Sequence, residues 1–226
     1  MKRILLVLVS LIMALAIWGC SSKADSAAQP AKVSTEAVKP NGKTLVVYYS
    51  LPMTYDPAKM TEKEADNSAV IKDGKVYGNT EYFANVIKEA SGADIFRIET
   101  VKIYSDDYQT LIADAKEEQR VNARPEMKAN VPDLSQYDTI FVGYPNWWGD
   151  MPMVLYTFFE ANDFSGKTII PFNTHGGSGF SDTINSIQKL EPNAKVVKDG
   201  LSISRNDIND AAPQIQNWIK SLGFGK

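Results

Sequence analysis

Three short segments hold the residues whose types and spacing could do chemistry. Gly78-Asn79-Thr80 stands just ahead of a helical pattern, and Ser50 ends an apolar run earlier in the chain. A hydroxyl, an amide and exposed backbone donors at a helix N-terminus suit a phosphate, because the unpaired N–H groups and the helix dipole both favour an anion. The second segment, Tyr144-Pro145-Asn146-Trp147-Trp148-Gly149-Asp150-Met151-Pro152, places two of the four tryptophans side by side after an apolar run. Two large flat side chains there suit a planar ring. The third segment, Thr174-His175-Gly176-Gly177-Ser178-Gly179, has little side-chain bulk. Its backbone can approach a ligand closely and edge the same ring.

Other chemistries fit less well. His175 is the only histidine and Cys20 the only cysteine. With Cys20 committed to lipid, as argued below, no thiol remains for a nucleophile, a disulfide or an iron–sulfur ligand, and a His-rich zinc site lacks its ligands. Ser178 does not read as a hydrolase nucleophile, since that elbow needs glycine two residues after the serine and Phe180 stands there. No G-x-G-x-x-G follows Ser50, so a nicotinamide would be a visiting substrate. The acidic pairs Asp106-Asp107 and Glu117-Glu118 read as a helix start and a solvated outer face.

The elements that must position these segments follow from periodicity. Short β-branched or aromatic runs alternate with longer amphipathic stretches, which is the pattern of a layered α/β sheet. Strands are predicted at Thr44–Tyr49, Asp94–Ile98, Thr139–Gly143, Thr168–Phe172 and Lys195–Val197, the last continuing towards Leu201–Ile203. Their nearly unbroken apolar character predicts parallel strands covered on both faces. Helices are predicted around Tyr82, Phe83, Val86 and Ile87, around Tyr108, Leu111, Ile112 and Ala115, from Pro152, after Ser181, and from Asp207 to Leu222 with Gly223 as terminator. In such a sheet a ligand binds outside the carboxyl ends of the strands where strand order reverses, which is where the three segments fall.

The first forty residues are of another kind. Lys2 and Arg3 precede an apolar run that ends in Gly19-Cys20, too short for a comfortable spanning helix of about 20 residues. This is a secretory signal, with residues 1–19 as a lipoprotein signal peptide and Cys20 as the lipidation site. An uncleaved N-terminal anchor is the alternative, and both readings put the domain outside the cytoplasm. Residues 20–42 are rich in Ser, Ala, Lys, Pro and Gln without apolar periodicity and read as a disordered tether. Residues 43–226 then form one domain. The 24 basic and 27 acidic side chains give a formal net charge of −3, which becomes −5 once Lys2 and Arg3 leave. That balance argues against nucleic acid.

On Tyr49-Ser50, Gly78-Asn79-Thr80, Asn122-Ala123-Arg124-Pro125, Pro145-Asn146-Trp147-Trp148 and Thr174-His175-Gly176-Gly177-Ser178, the chain resembles the flavodoxin family, in a bacterial lipoprotein branch, from Thr44 to Leu222. The resemblance implies a flavodoxin-like three-layer α/β sandwich with a five-stranded parallel sheet in the order 2-1-3-4-5. It also implies bound flavin mononucleotide, FMN. Ser50, Gly78, Asn79 and Thr80 then fall on the phosphate. Pro145, Asn146, Trp147, Trp148 and Gly149, with Thr174, His175, Gly176 and Gly177, fall on the isoalloxazine. One departure is the 27-residue insert Leu51 to Tyr77, where family members carry a very short connection. Its Lys72-Asp73-Gly74-Lys75 reads as a hairpin tip, and the insert as a lid over the cofactor mouth. With FMN bound, electron transfer to an unidentified redox partner is the natural function. Asp150 and the net negative charge are expected to lower the flavin potential. The alternatives are an FMN-dependent reductase of a quinone or other small acceptor, and a flavin-free binding module of the same fold.

The leader carries its own test. Cys20→Ala is expected to abolish acylation and change both processing and membrane partitioning. Unchanged mass and fractionation of the variant would show that Cys20 is not lipidated.

Overall fold

The computed structural model describes residues 42–54, 56, 58, 69–105 and 107–225. The signal peptide, Cys20 and the tether lie outside these residues. At the centre is β1 (Thr44–Tyr49), which pairs in parallel with β4 (Asp94–Ile98) on one side and β5 (Thr139–Pro145) on the other. Beyond β5 come β6 (Thr168–His175) and an edge made of two pieces, β7 (Lys195–Val196) and β8 (Leu201–Ser204), each parallel to β6. Counted as successive parallel strands with β7 and β8 sharing the last place, the order is 2-1-3-4-5, as in a flavodoxin-like fold.

Alternation along the strands divides the core. Val46 and Tyr48 of β1 face one way, and Leu45, Val47 and Tyr49 the other, because successive side chains of a strand point to opposite faces. The first face is covered by α1 (Asn79–Ser91) and α5 (Ala212–Ser221), through Phe83, Ile87, Ile215 and Ile219. The second is covered by α2 (Tyr108–Arg120), α3 (Met153–Glu160) and α4 (Thr183–Leu190), through Leu111, Val154, Leu155, Phe158 and Ile187. The result is a three-layer sandwich.

Four boundaries differ from the sequence reading, each for a local reason. Strands β5 and β6 run on to Pro145 and His175, so residues predicted to begin loops close the ladder instead. The last helix starts at Ala212, after a 3₁₀ turn at Ile208–Asp210, and not at Asp207. Pro213 fixes that start, since proline lacks an N–H and is tolerated only in a helix's first turn. Pro152 caps α3 and is not its first residue. The edge is broken opposite Pro171. The Ile169 carbonyl accepts Val197 N–H, so alternation turns the Pro171 nitrogen to the same edge, where it has no hydrogen to donate.

The insert holds an antiparallel hairpin, β2 (Ala69–Lys72) and β3 (Lys75–Gly78). Asp73 and Gly74 form its tip with φ of 51° and 72°, the backbone hand that two-residue hairpins favour. Val70 and Val76 are buried, and Tyr77 lies against Tyr82 of α1. Lys72 reaches Asp210. The hairpin therefore packs beside α1 and the 3₁₀ turn. Residues 59–68 of the insert lie outside the described residues.

Gly143 shows how tightly the sheet centre is filled. It sits between Tyr48 and Phe172 in register, and a Cβ added there would overlap the Phe172 ring. Gly143→Ala is expected to cost roughly 1–3 kcal/mol by overpacking, measured as a shift in the urea midpoint. Adding Phe172→Leu should return part of the loss.

Candidate functional site

The carboxyl ends of β1, β5 and β6 converge on a cavity of about 460 Å³, within the roughly 300–1,000 Å³ of small-ligand sites. Its wall contains Ser50, Asn79, Thr80, Pro145, Asn146, Trp147, Trp148, Gly149, Thr174, His175 and Gly176. Two residues assigned from sequence stay out of that wall, Gly78 and Gly177.

Gly78 instead lets the site form. A Cβ there would overlap Ser50 Oγ, so glycine lets the end of β1 lie against the start of α1 with the Ser50 side chain in its present position. The Gly78 N–H donates to Glu81 Oε2 at 3.3 Å, and Arg97 Nη2 donates to the Ser50 carbonyl at 2.7 Å. With the loop held this way, Asn79 and Thr80 open α1 while almost fully buried. Their N–H groups belong to the first turn and have no acceptor within the helix. The Thr80 and Thr174 hydroxyls lie 2.8 Å apart and join α1 to β6. Asn79 Oδ1 is buried without a hydrogen-bond partner, an expense that a folded protein seldom carries for no reason.

The aromatic segment is a tight turn. Trp147 N–H donates to the Asp150 carbonyl at 2.8 Å and Asp150 N–H to the Trp147 carbonyl at 3.1 Å. Trp148 and Gly149 occupy its tip with φ of 54° and 80°. A tryptophan at positive φ is strained by roughly 1–3 kcal/mol and persists only where its surroundings hold it. Three bonds do so here. Trp148 Nε1 donates to the Ile112 carbonyl at 2.8 Å, Gln119 Nε2 to the Trp147 carbonyl at 2.7 Å, and Gly149 N–H to Asn146 Oδ1 at 3.0 Å. Asn146 also donates to the Gly179 carbonyl at 2.9 Å. One side chain thus ties the aromatic turn to the glycine-rich loop. Trp147 is braced edge-on by Tyr49 and Tyr104, each at 5.7 Å, while Trp148 is 54% exposed at the mouth.

In the third loop His175 Nδ1 accepts Gly177 N–H at 2.9 Å. That bond turns Gly177 back onto the histidine and away from the cavity. Burial lowers the His175 pKa, against the opposing charge of Asp207, so the ring is neutral at pH 7.

Several wall residues were not assigned from sequence. Tyr108 and Ile112, read as core on α2, line the cavity, and Tyr108 is 36% exposed. Leu111 and Ala115 line it from the buried side of that helix. Leu51 and Met53 enter from the start of the insert, Ser178 from the third loop and Arg205 from the residue after β8. The amphipathic period of α2 locates its apolar face but not what that face meets. Arg205 lies beyond the weakest strand signal, and nothing in its neighbours marks it.

Two acidic residues are placed otherwise than expected. Asp150 is not in the wall; its carboxylate accepts Tyr156 OH and Met151 N–H, both at 2.8 Å. Burial, with Asp150 as partner, pushes Tyr156 up to about 12. Glu118 is buried, not solvated. It accepts Lys102 Nζ at 2.7 Å and Tyr104 OH at 3.0 and 2.9 Å. Burial raises the Tyr104 pKa, with Tyr49 and Glu118 adding to it. The network holds Tyr104 beneath Trp147.

Fold and site together define an open α/β protein with a ligand cavity at the strand ends where the order reverses. The chain belongs to the flavodoxin family, whose family model, described as Flavodoxin, matches residues 68–222. Solved structures resemble it over most of its length. A protein of Bacteroides eggerthii assigned as a flavoprotein is 24% identical with a TM-score of 0.60, covering 81% of this chain and 99% of its own. A second, from Bacteroides uniformis, is 27% identical with a TM-score of 0.57, covering 79% and 98%. A flavoprotein of Lactobacillus acidophilus in complex with FMN is 17% identical with a TM-score of 0.51, covering 75% and 97%. No curated protein matches the sequence.

Tyr104→Phe is expected to cost roughly 1.5–3 kcal/mol, because it strips the Glu118 carboxylate of a buried donor. Denaturant unfolding measures the loss, and tryptophan emission should shift as Trp147 loses its support. A change below about 0.5 kcal/mol would be that of an ordinary surface substitution and would show that the network does not hold the loop.

Proposed function

We propose that this chain binds FMN in the strand-end cavity and acts in electron transfer outside the cytoplasm, held at a membrane through lipid on Cys20. The observation that carries the flavin reading is the start of α1. Asn79 and Thr80 both line the cavity there, and the first-turn N–H groups and the Thr80 hydroxyl are hydrogen-bond donors at that end of it. These donors fit a phosphate dianion, which the positive end of the helix also favours. The hydroxyls of Ser50 and Thr174 complete a polar pocket at one end. The other end, with Trp147, Trp148, Pro145 and Gly176, is flat and largely apolar and fits a planar ring.

Bound FMN supplies the redox chemistry, accepting and giving electrons and protons at its ring. The chain's own residues bind, orient and shield it. Asn146 fixes the spacing of the two loops that edge the ring, Trp147 blocks water from beneath, and neutral His175 adds no charge of its own. The relative solved with FMN supports the reading. For the location, support comes from the basic start, the apolar run and Gly19-Cys20. The second reading is a reductase of a quinone or other small apolar acceptor, favoured by the Tyr108, Leu111 and Ile112 wall of α2. Steady-state turnover with reduced nicotinamide separates it from a carrier.

The full chain purified in detergent should be yellow or become so with added FMN. Thr80→Ala should weaken FMN roughly tenfold, the loss of one hydrogen bond to a charged group, while leaving riboflavin, which lacks the phosphate, unaffected. A colourless protein that ignores FMN sinks the reading. Equal losses for both flavins would move the phosphate away from Thr80.

A further inference from the structure

Charged side chains are scarce on the cavity wall. Among the described residues the wall contains no aspartate or glutamate and one arginine, Arg205. Asp150 is engaged by Tyr156. Asp207 is near enough for His175 to feel its charge but does not line the cavity, and burial keeps His175 itself neutral. Arg205 follows directly on β8, and its N–H donates to the His175 carbonyl at 2.8 Å. Its Nε and Cδ lie 3.8 and 4.0 Å from where a Cβ on Gly176 would stand. The side chain therefore lies over the glycine backbone of the loop that edges the cavity, and guanidinium keeps its charge at any working pH.

We infer that Arg205 sets the redox preference of the flavin bound in this cavity, by stabilising the negative charge that the ring gains on reduction. The inference rests on the FMN reading above. Two electrons from a low-potential donor and one proton from solvent turn the neutral oxidised ring into a reduced ring with one negative charge. A fixed cation beside a partly desolvated ring favours that charged form over the neutral one. The protein then binds reduced flavin more tightly relative to oxidised flavin than it would without Arg205, and the potential rises. This is opposite in sign to what Asp150 facing the ring would have done.

The test compares the full-length protein with Arg205→Gln and Arg205→Lys, by anaerobic dye-coupled potentiometry and by titration of the apoproteins with oxidised FMN and riboflavin. Arg205→Gln is expected to change its affinity for oxidised FMN and for oxidised riboflavin by the same factor, whatever that factor is. It should lose about tenfold in its preference for the reduced form, a fall of about 30 mV for a two-electron couple. Arg205→Lys should recover part of that shift. Oxidised FMN weakened more than tenfold with riboflavin unchanged would show that the guanidinium serves the phosphate, and would overturn the inference. So would an unchanged potential in a glutamine variant that binds FMN normally, with the flavin reading left intact. A parent protein that takes up neither flavin fails at the earlier step and removes both.

Discussion

Strand β1 is hydrogen-bonded along both sides and buried on both faces, with Leu45, Val46 and Val47 inaccessible to water. Burying a polar group without a partner is costly, and these three residues carry none. Beyond them polar side-chain atoms enter only at the strand's end, first as the hydroxyls of Tyr48 and Tyr49 and then at Ser50, the first residue past it. Because β4, β5 and β6 run parallel to β1, their ends reach the same edge of the sheet. Hydrophilic groups released at the ends of β1, β5 and β6 are delivered into one small volume. The cavity is in this sense a product of the buried strand.

Delivery alone does not give order. The three loops are fixed by bonds between them: Thr80 to Thr174, Asn146 to the Gly179 carbonyl, and Trp148 and Trp147 to α2. Each joins a residue at one strand end to one held by another element. The positive φ of Trp148 is kept by this cross-bracing, since the turn by itself would relax it. A ligand entering such a site orders little that is not already ordered, which keeps the entropic cost of binding low.

Most of the fold was legible in the residues because the local and global signals agree. The apolar runs of β1, β5 and β6 fit a doubly covered parallel sheet, and the Gly78-Asn79-Thr80, aromatic and glycine-rich segments fall where the strand pattern stops. What was not legible depends on direction. Glu118 sits on a helix beside the exposed Glu117, and periodicity alone gave no reason to bury it; its partners, Lys102 and Tyr104, lie on a separate irregular segment. Asp150 is next to two wall-lining tryptophans in sequence, yet the tight turn reverses the chain and aims its carboxylate at Tyr156. Arg205 enters the wall only because β8 resumes after a break, and the apolar face of α2 gives no sign that part of it meets a cavity in place of core.

That break in the outer strand has a consequence for how the molecule meets others of its kind. An open sheet has two edges, and an unpaired row of backbone donors and acceptors is a template on which another chain can add a strand. Here one edge is divided into pieces of two and four residues opposite Pro171. The other, β4, is five residues long, with Asp94 held in an ion pair with Lys43 and Arg97 turned onto Ser50. One margin is divided and the other is only five residues long, which disfavours edge-to-edge growth into polymers.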